Sequence, residues 1–237
     1  MGYGRRLRIG LLVPSSNTTM EPEFNRMAPG GVSVHAARMG LEEVTPGKLM
    51  EMAEEAGRAA LFLATAGVDV IVYGCTTGSL VRGVEWEERL VEGISEGTGT
   101  AAISTGRAVV NAIKALGGGR VAVATPYTDD LNDLERAFLE AHGVEVVAIK
   151  GLGLVRNLDI GRTEGSAVEV LVRAIAKGAD MVFISCTNLP TISLIEGVES
   201  ELGIPVVASN QASMWAALRG SGANRIEGYG RLLRSID

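Results

Sequence analysis

The chain contains two cysteines, and both sit where a thiol could react. Cys75 lies in Tyr73-Gly74-Cys75-Thr76-Thr77-Gly78-Ser79, and Cys186 lies in Ile184-Ser185-Cys186-Thr187-Asn188-Leu189-Pro190-Thr191. Each follows a short apolar run and precedes small hydroxyl or amide residues. A thiol between a strand end and a helix start faces successive backbone N–H groups, which form an anion-binding nest at the positive end of the helix. That setting predicts a depressed pKa for Cys75 and makes it a candidate nucleophile. A lone cysteine in an apolar strand is ordinarily a small buried hydrophobe. Two cysteines at matching strand ends point instead to chemistry.

A third polar segment, Val13-Pro14-Ser15-Ser16-Asn17-Thr18-Thr19-Met20-Glu21, follows the first apolar run. Residues of this kind cap a following helix. They also make a cradle for a carboxylate, and position alone leaves both readings open. In the second half, Ala124-Thr125-Pro126-Tyr127-Thr128-Asp129 adds a phenol, Tyr127, that could donate to substrate or simply start a helix. His35 and His142 have no second ligand at metal-site spacing, so neither a metal nor a coenzyme is expected.

These residues need elements to hold them. Strands are predicted at Arg6–Val13, Val32–Ala37, Val68–Tyr73, Thr100–Ser104, Arg120–Ala124, Glu145–Ile149, Met181–Ser185 and Pro205–Ser209. Between them the pattern predicts helices over Thr45–Thr65, Val81–Ser95, Ser104–Leu116, Thr128–His142, Gly165–Lys177, Ile192–Leu202 and Gln211–Arg219. Such alternation implies βαβ units around parallel sheets. A run as apolar as Val68-Asp69-Val70-Ile71-Val72 suits a strand covered on both faces.

An internal repeat organises the chain. At an offset of about 111 residues, Gly67-Val68-Asp69 matches Gly178-Ala179-Asp180, Cys75-Thr76 matches Cys186-Thr187, and Gly40-Leu41 matches Gly151-Leu152. Pro14 matches Pro126 with one residue of slack. The expected fold is therefore α/β: two pseudo-symmetric doubly wound lobes with mostly parallel four-stranded sheets. The division falls at the glycine run Gly117-Gly118-Gly119, giving lobes 1–117 and 118–237, with the last helix of each half crossing to the other lobe. Ligands of open α/β sheets bind beyond the carboxyl ends of the strands. Two lobes facing each other across a pseudo-twofold axis would bring both thiols into one cleft from opposite sides.

At this point a resemblance becomes specific. The blocks Pro14-Ser15-Ser16-Asn17-Thr18-Thr19-Met20-Glu21, Gly74-Cys75-Thr76-Thr77-Gly78-Ser79, Thr125-Pro126-Tyr127-Thr128 and Cys186-Thr187-Asn188-Leu189-Pro190-Thr191 resemble, in order, those of maleate cis–trans isomerases in the aspartate/glutamate racemase superfamily. The resemblance implies covalent, cofactor-independent isomerisation. Cys75 would add to an alkene carbon of maleate, and Cys186 would act from the other side as acid/base partner or steer protonation. It also implies that Asn17, Tyr127 and Asn157 bind a carboxylate, while the loops Thr76-Thr77 and Thr187-Asn188 offer backbone N–H groups. Amino-acid racemases of the superfamily carry an Asn-Thr pair after the first cysteine, which Cys75-Thr76-Thr77 lacks. Arylmalonate decarboxylases usually have glycine where Cys75 stands. The alternatives are a two-cysteine racemase of an amino acid or diacid, an arylmalonate decarboxylase-like enzyme, an enzyme of ectoine catabolism, or a degenerate small-molecule binding protein.

Composition narrows the classes further. Of 237 residues, 46% are hydrophobic and only 4% aromatic, so the core must be aliphatic. The net charge of −6, with dispersed basic residues, argues against nucleic acid, so an anion would have to be held by local N–H groups. No apolar run reaches the roughly 20 residues that span a bilayer. The basic start, Met1 to Arg8, is followed too soon by Pro14 to be a signal peptide, so a cytoplasmic protein with reduced thiols is expected. A small dicarboxylate is the expected partner, and the resemblance implies a homo-oligomer.

Overall fold

Near-continuous apolar runs become strands buried on both faces, because helices cover each side of a parallel sheet. The computed structural model describes residues 3–236. Its first half runs β1 (Leu7–Pro14), α1 (Met20–Met27), β2 (Val32–Met39), α2 (Pro46–Glu54), α3 (Ala56–Thr65), β3 (Val70–Tyr73), α4 (Thr76–Leu80), α5 (Val84–Thr98), β4 (Ala101–Ser104) and α6 (Thr105–Ala115). The second continues β5 (Arg120–Thr125), α7 (Asp129–Ala141), β6 (Glu145–Gly151), α8 (Asn157–Gly161), α9 (Gly165–Ile175), β7 (Met181–Ile184), α10 (Ile195–Leu202), β8 (Val206–Ala208), α11 (Ser209–Leu218) and α12 (Gly230–Arg234).

The strands form two four-stranded sheets, ordered β2-β1-β3-β4 and β6-β5-β7-β8. Every ladder is parallel. The repeat seen in the sequence is therefore a repeat of topology. Its Gly-x-Asp motif has a physical role in both halves. Gly67 (φ +64°) and Gly178 (φ +83°) make left-handed turns ahead of β3 and β7. The aspartates that follow then clamp the neighbouring strand: Asp69 Oδ2 accepts the Arg8 N–H at 2.7 Å, and Asp180 Oδ1 accepts the Gly119 and Arg120 N–H groups at 3.2 and 3.1 Å.

The expected helix over Thr45–Thr65 is two helices. At Glu55 the backbone tightens, its N–H bonding to Met52 O at 3.1 Å. Its carboxylate turns back to accept the Gly40 N–H at 2.8 Å. The expected Val81–Ser95 helix begins instead at Val84, because Gly83 (φ +80°) breaks it from the short α4. Four short helices, α1, α4, α8 and α12, were not among those predicted.

The closing helices α6 and α11 pack on one another, α6 reaching β8 of the second sheet and α11 reaching β3 and β4 of the first. At their crossing Ser213 Oγ donates to Thr105 Oγ1 (3.1 Å), which donates to Tyr73 O (3.1 Å). Ile9, Leu11 and Val72 of the first half share one apolar cluster with Val121, Val123 and Phe183 of the second. The two sheets are thus locked together, and the carboxyl ends of their central strands are held in fixed relation.

Candidate active site

Strands β1, β3, β5, β6 and β7 each end in a loop that carries candidate residues. Tyr73, the last residue of β3, leads through Gly74 to Cys75, the N-cap of α4. The Cys75 sulfur accepts the Gly78 N–H at 3.4 Å and lies 3.9 Å from Thr77 Oγ1. The glycines flanking this thiol are dictated by space. A Cβ at Gly74 would stand 2.5 Å from Met20 Sδ and 2.9 Å from Leu12 O, and one at Gly78 would stand 3.1 Å from the Cys75 sulfur.

Cys186 occupies the equivalent place after β7, in a different backbone state. Its φ is +99°, and it is the one non-glycine among the described residues with positive φ. Such a conformation costs of order 1–3 kcal/mol and persists only when neighbours over-determine it. Here Ser209 Oγ accepts the Cys186 N–H at 3.0 Å, while the sulfur accepts the Asn188 N–H at 3.3 Å. The Tyr127 phenol and the Leu189 N–H also bond to this sulfur and pull its pKa down.

The two cysteine loops meet at one junction between the halves. Tyr127, fully buried, lies within electrostatic range of both sulfurs, and the thiolate of Cys75 would raise the pKa of Cys186. Thr187 Oγ1 donates to Gly74 O at 3.0 Å, joining the two cysteine loops directly. Ser209 Oγ joins them again, accepting from Thr76 Oγ1 at 2.9 Å as well as from the Cys186 N–H.

Asn17 bridges the halves as well. Its Nδ2 donates to Thr187 Oγ1 at 3.1 Å, and its Oδ1 accepts the Thr19 and Met20 N–H groups at the start of α1. The helix-capping reading of that loop holds, since the Asn17 amide oxygen accepts two N–H groups at the start of α1. Asn157, the first residue of α8, donates to Ser16 Oγ at 2.8 Å. Asn188 Nδ2 donates to Asn157 O at 2.7 Å, and Asn188 Oδ1 accepts the Thr18 N–H at 2.9 Å. All nine candidates, Asn17, Cys75, Thr76, Thr77, Tyr127, Asn157, Cys186, Thr187 and Asn188, are buried at this junction.

The depressed pKa expected at Cys75 is corrected by the structure. Burial pushes the thiol up to about 11, outweighing the Gly78 N–H and the Thr77 hydroxyl, which pull it down. Helix α4 has five residues, too few aligned peptide dipoles to offset a sulfur only 5% exposed. Cys186 is pushed up to about 12, again chiefly by burial. Burial thus favours the thiol over the thiolate at both sulfurs.

A backbone bridge joins the two halves beside these loops. Glu43 and Arg156 form an antiparallel bridge, flanked by Val44 N–H to Val155 O (2.8 Å) and Asn157 N–H to Glu42 O (2.9 Å). Beside this bridge a cavity of about 490 Å³ opens, lined by Ser15, Ser16, Thr18, Glu42, Glu43, Arg156 and Leu158. Among the described residues no group of three His, Cys, Asp or Glu side chains is placed to hold a metal.

Sequence reasoning missed the residues behind the cleft. Ser209 carried no signal beyond its place at a strand end. Two buried carboxylates did carry one. Glu23 falls on the apolar face of α1 with Met20, Phe24 and Met27, and Glu135 falls on that of α7 with Leu131, Phe138 and Leu139. A charge on the inner stripe of an amphipathic helix is the signal that would have found both. Glu23 Oε1 accepts the Thr191 and Ile192 N–H groups at 2.8 and 3.1 Å, tying α1 to the loop beyond Cys186. Burial raises its pKa, and the Asn210 amide and those N–H groups oppose the rise.

The chain is similar along nearly its whole length to known enzymes. The maleate isomerase of Nocardia farcinica is 34% identical over 239 residues, covering 96% of this chain and 95% of that protein. The arylmalonate decarboxylase of Bordetella bronchiseptica is 34% identical over 229 residues, covering 94% and 95%. A solved cysteine-to-serine mutant of the Nocardia farcinica maleate cis–trans isomerase, with a covalently bound succinylcysteine intermediate, superposes with a TM-score of 0.92 at 31% identity, covering 98% and 99% of the two chains. The family model for arylmalonate decarboxylase matches residues 9–233, and the chain belongs to that family.

Proposed function

We propose that this chain isomerises maleate to fumarate by covalent addition of a cysteine thiolate, with no metal or coenzyme. The observation that carries this reading is the pair of buried thiols at equivalent strand ends of two opposed sheets, set among amide, hydroxyl and backbone donors. The succinylcysteine in the Nocardia farcinica mutant is the adduct expected when a thiol adds to a four-carbon unsaturated diacid.

In the proposed cycle the Cys75 proton passes to solvent, and the resulting thiolate sulfur adds to one alkene carbon of maleate. A carbon–sulfur bond forms, and the π pair moves to the other carbon and its carboxylate as an enediolate. The central bond is now single and turns. The pair then returns, the carbon–sulfur bond breaks, and fumarate leaves with Cys75 again a thiolate. Asn17, Tyr127 and Asn157 would hold a carboxylate, and the N–H groups of Thr76, Thr77, Thr187 and Asn188 would stabilise the charge that builds on it. Cys186, facing the other side, is assigned the acid/base role.

The same reading makes the protein a cytoplasmic homo-oligomer of two lobes, residues 1–117 and 118–237. Leu61 and Phe62, 51% and 63% exposed on α3, support an interface between subunits. A decarboxylase of substituted malonates is the second reading, favoured by the equal identity of the Bordetella bronchiseptica relative. It needs only one of the two thiols.

The test is purified protein in chelator-treated buffer with maleate, followed by proton NMR. Fumarate should accumulate. Folded protein that leaves maleate unchanged overnight, or that needs an added metal, would sink the proposal, and release of carbon dioxide from an arylmalonate would install the second reading.

A further inference from the structure

Four glutamates are buried among the described residues, and three of them are fully provided for. Glu23 accepts two N–H groups and, at 2.7 Å, the Asn210 amide. Glu87 accepts the Arg107 guanidinium at 2.7 Å and the Ser104 hydroxyl at 2.5 Å. Glu199 accepts the Val206 and Arg231 N–H groups at 3.0 and 2.9 Å. The fourth, Glu135, has a single donor, Ser185 Oγ at 2.6 Å, and its Oε2 has no partner at all.

Its location gives that poverty a meaning. Glu135 stands on α7 directly behind the second thiol, since Ser185 precedes Cys186 in the chain and Glu135 lies within electrostatic range of the Tyr127 phenol that bonds to the Cys186 sulfur. One turn earlier on the same helix, Asn132 Oδ1 accepts from Thr125 Oγ1 at 2.5 Å, and Thr125 Oγ1 accepts the Tyr127 N–H at 3.2 Å. This face of α7 therefore grips the loops that carry Tyr127 and Cys186.

We propose that Glu135 works as a neutral carboxylic acid behind Cys186 and Tyr127, a positioning residue whose loss of a proton closes the cleft to dianionic substrate. A buried carboxylate with one hydroxyl donor and no cation is held far less well than the neutral acid. Burial accordingly pushes its pKa up to about 8, only partly opposed by Ser185. The ionisable groups around it supply no positive charge. Tyr127 and Cys186 stand at the ends of β5 and β7, Cys75 caps α4, Glu145 and Lys150 of β6 are exposed, and Arg136 on its own helix is bound to Val146 O at 2.6 Å. Ionised, Glu135 would add a third negative charge beside a diacid. Bound diacid would in turn hold the proton on Glu135.

The proposal rests on the diacid reading above, and its tests separate the two. In wild-type protein the KM for maleate should be flat to about pH 8 and then rise about tenfold per pH unit, while in Glu135→Gln it should stay flat. At about pH 9.5 the variant should exceed wild type in kcat/KM by about 30-fold, with near-equality at about pH 7. Ligand-free protein gives a second readout. The infrared carbonyl stretch of a protonated carboxylic acid should appear in the wild-type-minus-Glu135→Gln difference and vanish with a midpoint near pH 8. Absence of that band at neutral pH, or KM profiles that rise in parallel, would overturn the proposal while leaving isomerisation standing. Failure of wild type to act on maleate would sink the diacid reading and this proposal with it.

Discussion

The state of the Cys75 sulfur is the most exposed point in the proposed mechanism. Its pKa of about 11 lies two units above the 9.0 of an ordinary thiol, which is about 3 kcal/mol against the thiolate. At about pH 8 roughly one molecule in a thousand then carries the nucleophile, and each further pH unit multiplies that fraction by about ten. Alkylation of ligand-free protein by iodoacetamide, followed by mass spectrometry of the Cys75 peptide, should therefore give a log rate that climbs with unit slope from about pH 7 to pH 10 without a plateau. Burial slows the reagent equally at every pH, so the slope is unaffected by access. A plateau near neutrality would mean a preformed thiolate. In that case the Gly78 N–H and the short helix outweigh burial, and the desolvation reasoning is wrong.

Other outcomes follow from named contacts. Cys186→Ser should lose most turnover yet gain a succinyl adduct on the Cys75 peptide after exposure to maleate; an adduct on any other peptide would reverse the assignment of roles. Ser209→Ala orphans the Cys186 N–H and the Thr76 hydroxyl, so it should destabilise the fold by about 1–3 kcal/mol per orphaned group in urea titration. Gly78→Ala should fold but lose activity, because its Cβ would stand 3.1 Å from the Cys75 sulfur and 2.9 Å from Tyr73 Oη; wild-type rates would show that the loop yields freely. Glu135→Gln should also shift stability with a definite sign. A carboxyl whose folded pKa is raised from 4.5 to about 8 takes stability away as pH climbs through that window, so the variant should gain on wild type from about pH 5 to pH 8, up to a ceiling of about 5 kcal/mol, and no further. Equal urea midpoints for the two proteins at both ends of the window would refute it.

Much of the molecule was legible because its signals are local. Most strands announced themselves as short apolar runs, and the matched Gly-x-Asp and Cys-Thr pairs mark the same turn and the same strand end in each half. What escaped depends on contacts distant in sequence. Ser209 matters through Thr76, 133 residues away, and Glu135 through Ser185, 50 residues away. No local pattern encodes either pairing. The thiol pKa was misjudged for a related reason. A nest of N–H groups can be read from a loop sequence, whereas the depth at which that loop is buried is set by packing against elements from the other half of the chain.

The duplication places the thiols, and divergence within it separates them. Cys75 keeps an ordinary extended backbone (φ −143°) and meets one helix N–H, an arrangement that leaves its sulfur able to advance on a substrate. Cys186 is pinned in a left-handed turn, with Ser209 on its N–H and Asn188, Leu189 and Tyr127 on its sulfur. A sulfur so surrounded by donors is poorly placed to form and break a bond to carbon. It is well placed to hold or pass a proton, with the Tyr127 phenol beside it and Glu135 behind. A strictly symmetric pair of thiols would suit a racemase, which must work alike from both faces. The asymmetry of this pair supports the proposed division into one nucleophile and one proton-handling partner.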